Sequence, residues 1–153
     1  MADIALRPAT VDDAEFFFTL HKGSLGPYVD QIWGWDDEDQ RAYLAGHLAL
    51  KRVRVIVVDG VDVGRLDVEE HDDEVFLALI ELAPDHQGRG IGSRLIRELL
   101  DRAGADGKRV TLSMLEVNPR AYQLYRRLGF TEVSRDGVAP EVRIRMVAGS
   151  KPQ

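Results

Sequence analysis

The segment that most restricts the fold of this chain lies between residues 75 and 103. An apolar run, VFLALIELA, is followed by Pro84 and then by the glycine-rich stretch Gln87-Gly88-Arg89-Gly90-Ile91-Gly92. Beyond it, Ile91, Leu95, Leu99 and Ala103 recur every fourth residue, with Ile96 and Leu100 widening the stripe. That interval marks one face of a helix, and the unbroken apolar run reads as a strand buried on both faces, interrupted only by Glu81. A strand, a loop bare of side chains and the start of a helix together aim several backbone N–H groups into one concavity at the positive end of a helix dipole. Such a concavity suits a phosphate or pyrophosphate, and Arg89 and Arg94 are close enough in sequence to add positive charge.

Three kinds of phosphate loop can be weighed against these residues. A Walker loop needs Gly-Lys followed by Ser or Thr, whereas Gly92 precedes Ser93-Arg94, so nucleotide hydrolysis is disfavoured. A dinucleotide fingerprint spaces its glycines as GxGxxG, but Gly88, Gly90 and Gly92 stand at every second position. The third pattern, Q-x-x-G-x-G, is met by Gln87, Gly90 and Gly92.

The rest of the chain reads as alternating strands and helices. Ile4 and Leu6 begin a short edge strand. Thr10 is a plausible N-cap with Asp12 and Asp13 behind it, and a helical spacing runs from Val11 to Lys22. Gly23 and Gly26-Pro27 read as a break, and a second helix is expected over 37–50. Residues 53–58 and 61–69 form a β-hairpin around Asp59-Gly60. After the glycine loop and its helix, 110–115 is a strand. Asn118-Pro119 opens another helix, which Gly129 stops. Residues 130–134 and 141–147 are two last strands with a loop at Asp136-Gly137, and 150–153 is expected to be a loose tail. The expected architecture is one mixed α/β (α+β) domain over 1–149, its mostly antiparallel central sheet of about six or seven strands flanked by about four helices.

Composition removes several function classes. The 153 residues carry 20 Lys+Arg against 26 Asp+Glu, a net charge of −6, and no dense basic run, which argues against duplex nucleic acid as the main partner. With no cysteine, disulfides, thiolate metal sites and a cysteine nucleophile are excluded, and a reducing cytoplasm is the expected compartment. No apolar stretch approaches the ~18 residues of a membrane-spanning helix, and MADIALRP lacks the basic flank and apolar run of a signal peptide. The histidines, His21, His47, His71 and His86, are unclustered and read as surface residues rather than metal ligands.

Two segments in order, LIELAPDHQGRGIGSRLI and NPRAYQLYRRLGF, resemble the two hallmark motifs of the GNAT superfamily of acyl-CoA-dependent acyltransferases, and the order of elements agrees over residues 3–147. The resemblance implies the corresponding mixed fold and transfer of an acetyl group from acetyl-CoA, as co-substrate, to a small-molecule or peptide amine. The transfer would be a direct attack, with no metal and no covalent enzyme intermediate. It implies a donor site made by Leu82, Ala83, Gln87, Gly88, Arg89, Gly90, Ile91, Gly92, Ser93 and Asn118. A possible homodimer follows from family habit alone. The alternative is a CoA-binding sensor or inactive scaffold of the same fold.

Such a transfer has three physical needs: a deprotonated amine, a stabilised oxyanion and a neutralised thiolate. Tyr125, seven residues and about two turns beyond Asn118 on the same helix face, matches the family's proton donor to the CoA sulfur, with Tyr122 as a competing phenol. The backbone N–H of Leu82 is the expected oxyanion donor. Glu81, a carboxylate in an apolar strand whose burial would raise its pKa, is the first candidate for the acceptor side; Glu69, Glu70, Glu116 and Asp36 remain open. Tyr28, Trp33, Trp35 and Asp36 combine aromatic surface with a carboxylate and suit a cationic amine, or else merely pin a helix connection.

Overall fold

The computed structural model describes residues 3–46 and 48–149; His47 and the expected tail at 150–153 lie outside them. Among the described residues there are seven strands and five α-helices. They run β1 Ile4–Pro8, α1 Ala14–Ser24, α2 Gly26–Trp33, α3 Asp37–Gly46, β2 Arg54–Val58, β3 Val61–Glu70, β4 Glu74–Leu82, α4 Ile91–Ala105, β5 Arg109–Leu115, α5 Pro119–Arg127, β6 Thr131–Val138 and β7 Glu141–Ala148. The strands hydrogen-bond in the order β1-β2-β3-β4-β5-β7-β6. The β1–β2, β2–β3, β5–β7 and β6–β7 pairs are antiparallel and β4–β5 is parallel. This is the expected mixed, mostly antiparallel sheet, with one helix more than the sequence suggested.

The additional helix is α2. Gly26-Pro27 reads as a break, yet proline is tolerated in a first turn, where its missing N–H would have no helical partner. The chain leaves α1 with Leu25 N–H donating to the His21 carbonyl at 2.9 Å and restarts with Val29 N–H donating to the Leu25 carbonyl at 3.0 Å.

The chain resolves into two compact units. The first holds the chain up to Asp67 together with Leu79–Arg89, and the second holds Val68–Ala78 and the chain from Gly90 onward. In the first, Ala9, Phe17, Val53 and Val55 form a buried cluster under Phe16, Leu48, Leu50 and Val57. Arg7 ties β1 to the following turn, donating to Asp13 at 2.7 Å and to Asp62 at 2.8 Å. In the second, α4 buries Ile91, Leu95, Ile96, Leu99 and Ala103, the stripe read from the sequence. Each of its large members stabilises the fold by about 1.5–3 kcal/mol relative to exposure. Phe130, Ile144 and Met146 complete that interior.

The apolar run in β4 is not buried on both faces. Val75, Leu77 and Glu81 are buried, while Phe76, Ala78, Leu79, Ile80 and Leu82 are half-buried, so the row from Val75 to Glu81 is the more buried one, with a partly open position at Leu79, and the other row is partly open throughout. The parallel ladder covers only Glu74–Leu77 against Arg109–Leu112, and both strands run on beyond it.

Where β3 passes β4, Gly64 allows a close approach: a Cβ there would lie 2.2 Å from the Glu81 carbonyl oxygen and 2.9 Å from Leu82 Cδ2. Backbone cannot yield at that distance. Gly64→Ala is therefore expected to cost about 2–4 kcal/mol of stability, in the range of overpacked or strained sites, measured by urea denaturation; an unchanged midpoint would show that the strands separate freely.

Candidate active site

The end of β4 uses its backbone polar groups unevenly. The N–H of Ala83 donates to the Val63 carbonyl at 2.8 Å, so it continues the pairing with β3. Successive N–H groups of a strand point to opposite edges, which turns the Leu82 amide away from β3. Leu82 also presents its carbonyl on that edge, where Gln87 Nε2 donates to it at 3.0 Å. The Gln87 side chain thus braces the loop to the strand end. Of the two residues expected at the thioester, Leu82 has the outward amide and Ala83 has its amide engaged.

The glycine loop then delivers the chain to α4. Gly88 and Gly90 have φ of 73° and 81°, and a Cβ built on either would meet nothing within 4 Å. Gly90 is the N-cap residue, and no side chain caps the helix. The first-turn N–H groups, those of Ile91, Gly92 and Ser93, therefore lack the side-chain acceptor that most helices supply. They face a loop surface with no bulk on it, at the positive end of a helix that runs to Ala105. The Ile91 side chain is buried and anchors the turn, so its contribution to a ligand would be its amide. Arg89 is exposed. Arg94 Nε reaches Glu98 at 3.2 Å, one turn along the helix. An uncapped first turn with a bare glycine approach fits a diphosphate.

At the start of α5, Asn118 Oδ1 accepts the Ala121 N–H at 3.2 Å, so this side chain orders the helix start. Tyr125 lies two turns on, half-buried, its ring edge-on to Phe130 with centroids 5.8 Å apart. Its carbonyl accepts the Phe130 N–H at 3.0 Å as the helix closes through Leu128 and Gly129. Burial pushes the Tyr125 phenol up to about 12, so it holds its proton at neutral pH. The competing phenol of Tyr122 donates to Glu132 at 3.2 Å, beneath the Arg135 guanidinium, and is committed to that network.

Glu81 is wholly buried and fully partnered. Arg65 Nε donates to Oε1 at 2.5 Å, Ser24 Oγ donates to Oε2 at 2.7 Å, and His21 Nδ1 lies 2.9 Å from Oε2. Burial alone raises the Glu81 pKa, but the His21 hydrogen bond, the Arg65 charge and the Ser24 hydroxyl outweigh it and hold the carboxyl below its usual range. The sequence argument that burial would lift this group is corrected by its partners. His21 is likewise no surface histidine: it is 9% exposed. Arg65 and Ser24 were not singled out in the sequence either. The one legible trace is the Glu81 charge inside the apolar β4; Arg65 stands among the acids of β3 and Ser24 is neutral, so neither stood out.

The four aromatic and acidic residues expected at an acceptor pocket divide between two roles. Trp35 leans on Phe18 and His21, with ring centroids 6.1 and 5.9 Å away, and its Nε1 donates to Asp37 at 2.6 Å. Asp36 caps α3, its Oδ1 accepting the Asp39 N–H at 2.9 Å. Both pin the helix connection. Trp33 is exposed and Tyr28 half-buried on α2, which leaves their rings for contact with a partner. No helix among the described residues is long and apolar enough to cross a membrane.

Comparison with known proteins gives this geometry a context. The family described as "Acetyltransferase (GNAT) family" matches residues 5–130. A GCN5-like protein acetyltransferase of Mycobacterium tuberculosis is 48% identical over 62 residues, 39% of this chain and 29% of that protein. The N-alpha-acetyltransferase RimI of the same organism is 50% identical over 54 residues, 35% of this chain and 33% of that protein. The chain thus spans about a third of the length of these curated relatives. Among solved structures, the PaiA N-acetyltransferase of Thermoplasma acidophilum in complex with coenzyme A superposes with a TM-score of 0.75 at 15% identity, covering 97% of this chain and 99% of that one.

Proposed function

Because this chain belongs to the acetyltransferase (GNAT) family, we propose that it is an N-acetyltransferase that moves an acetyl group from acetyl-CoA to a primary amine by direct attack. The observation that carries this reading is the uncapped first turn of α4 behind Gly88 and Gly90. It supplies amides and a dipole but no side-chain acceptor, and a diphosphate completes it. Coenzyme A bound in a structural neighbour of matching fold supports the choice of donor, and an N-alpha-acetyltransferase among the relatives supports an amine acceptor.

In the reaction, the first-turn amides of α4 hold the donor by its diphosphate, with Arg89 adding charge. The amine nitrogen attacks the thioester carbonyl. The Leu82 N–H receives the oxyanion that forms there, since it faces away from β3 and is not used in that pairing. As the carbon–sulfur bond breaks, Tyr125 gives its proton to the departing sulfur and is reprotonated from solvent, to which the acetylated nitrogen releases its surplus proton. The products are the acetylated amine and the free CoA thiol. A phenol near 12 stays protonated until that moment. Burial raises the phenol and would raise a thiol nearby in the same direction, which offsets the widening of the gap the proton must cross.

The test is an amine panel with acetyl-CoA and thiol detection, run on the parent chain and on Tyr125→Phe. The parent should release thiol above the blank with at least one primary amine. Tyr125→Phe should lose about 10–100-fold in kcat while KM for acetyl-CoA changes by less than about twofold, the pattern of a contact made only in the transition state. Equal turnover in the variant would remove Tyr125 as the acid.

A further inference from the structure

We propose that His21 is the general base that takes the proton from the acceptor amine, with Glu81 as the positioning residue that fixes its tautomer. This rests on the acetyltransferase reading above and supplies the step it leaves open.

Glu81 is an acceptor only. Arg65 holds Oε1, Ser24 donates to Oε2, and the surroundings keep the group a carboxylate. The 2.9 Å contact between His21 Nδ1 and Glu81 Oε2 is then a hydrogen bond only if Nδ1 carries the proton. In a neutral imidazole that leaves Nε2 with the lone pair. Nε2 has no bond to any described residue, and it is not a buried orphan: among the described residues the one buried side-chain polar atom without a partner is His86 Nδ1. Nε2 therefore keeps access to solvent, or to an amine entering from it.

Placement agrees with the role. Glu81 is adjacent in the chain to Leu82, whose amide is the proposed oxyanion donor, so one stretch of β4 carries both the orienting carboxylate and that amide. The geometry is that of a carboxylate-oriented histidine base. The charged and polar groups around the ring come from each packed element: Glu81 from β4, Arg65 behind it from β3, and Ser24 and Lys22 from α1. The Trp35 ring, at 5.9 Å, comes from the connection before α3, and Asp37, which bonds both Trp35 and Lys22, opens α3 itself. Trp35 stands on one flank of the His21 ring.

The step balances as follows. His21 Nε2 takes one proton from the acceptor ammonium and becomes imidazolium. The freed nitrogen lone pair forms the new bond to the acetyl carbon, the carbon–sulfur bond breaks and Tyr125 protonates the sulfur, while the nitrogen gives up its second proton to solvent, from which the Tyr125 phenolate is reprotonated. The imidazolium then returns its proton to solvent.

The decisive experiment compares the parent chain with His21→Asn, whose amide can still donate to Glu81 from about the position of Nδ1 but has nothing in place of Nε2. With an alkylamine at pH 7 the variant should lose about 100-fold in kcat/KM for the amine while its calorimetric affinity for CoA stays that of the parent. The variant's rate should climb with pH as the amine deprotonates without help, so the deficit should shrink toward alkaline pH. A deficit independent of pH would make His21 structural and overturn the proposal, as would parent rates at every pH. Long-range 15N NMR of the folded parent gives a check that needs no variant: His21 should carry its proton on Nδ1, and an Nε2–H tautomer would overturn the assignment. A parent chain that releases no thiol with any amine would overturn the acetyltransferase reading and this role together. A parent that transfers while His21→Asn matches it overturns this role alone.

Discussion

Calorimetric titration of Gly90→Asp with CoA should show affinity reduced by about 100-fold or more, equivalent to at least ~2.7 kcal/mol. Two effects combine. An aspartate would set a negative charge beside first-turn amides that are proposed to bind a diphosphate, and charges about 4 Å apart repel by ~1 kcal/mol in water and ~4 kcal/mol at a protein surface. Gly90 also has a φ of 81°, a conformation costly to side chains and borne best among them by asparagine and aspartate. Gly90→Asn isolates the charge. It has nearly the same shape and the same backbone cost but carries no charge, so it should keep more of the affinity than the aspartate variant. If both variants bind CoA as the parent does, the loop is not the diphosphate site.

Glu81→Gln should be the most destabilising conservative change in the first unit, by about 3–5 kcal/mol, because it strips the charge from a buried pair and leaves the Arg65 guanidinium uncompensated. Arg65 is 5% exposed and Glu81 2%, so solvent screens neither. The pH dependence has a definite sign. The folded-state pKa of Glu81 lies below the ordinary 4.5, so its contribution is fully present above that pH and is lost as pH falls through the folded value. Denaturation midpoints of parent and variant should therefore stand far apart at pH 7 and converge in acid. A gap that is absent at pH 7, or equally wide in acid, would contradict a paired native carboxylate.

Much of this fold was legible because its signals are local. The Asp59-Gly60 turn has φ of 50° and 82° at its two residues, as a two-residue hairpin requires, and the strands on either side were read within one residue of their bounds. The α4 stripe, the Asn118 cap and the stop at Gly129 came from spacing and cap chemistry alone. Two local signals misled. Gly26-Pro27 begins a helix rather than ending one. Asp136-Gly137 lies inside β6, which runs to Val138, because Gly137 closely approaches the Glu141 carbonyl across the β6–β7 hairpin. The His21–Glu81 pairing was beyond sequence for a different reason. His21 and Glu81 are 60 residues apart, and no periodicity links an α1 histidine to a β4 carboxylate. Their meeting depends on how a helix lies on strands, and that depends on packing volume. The same argument that made Glu81 conspicuous misjudged its ionisation, since a lone buried acid and one clasped by arginine look alike in a string of letters.

The bare N-terminus of α4 has a thermodynamic consequence. Most helices carry their own cap and are finished when they fold; this one would receive its last acceptors from the donor substrate, so closing its first turn and binding the donor become a single linked equilibrium. Amides at Ile91–Ser93 would then report occupancy directly, and the stability of the chain would rise with the concentration of free carrier relative to its dissociation constant.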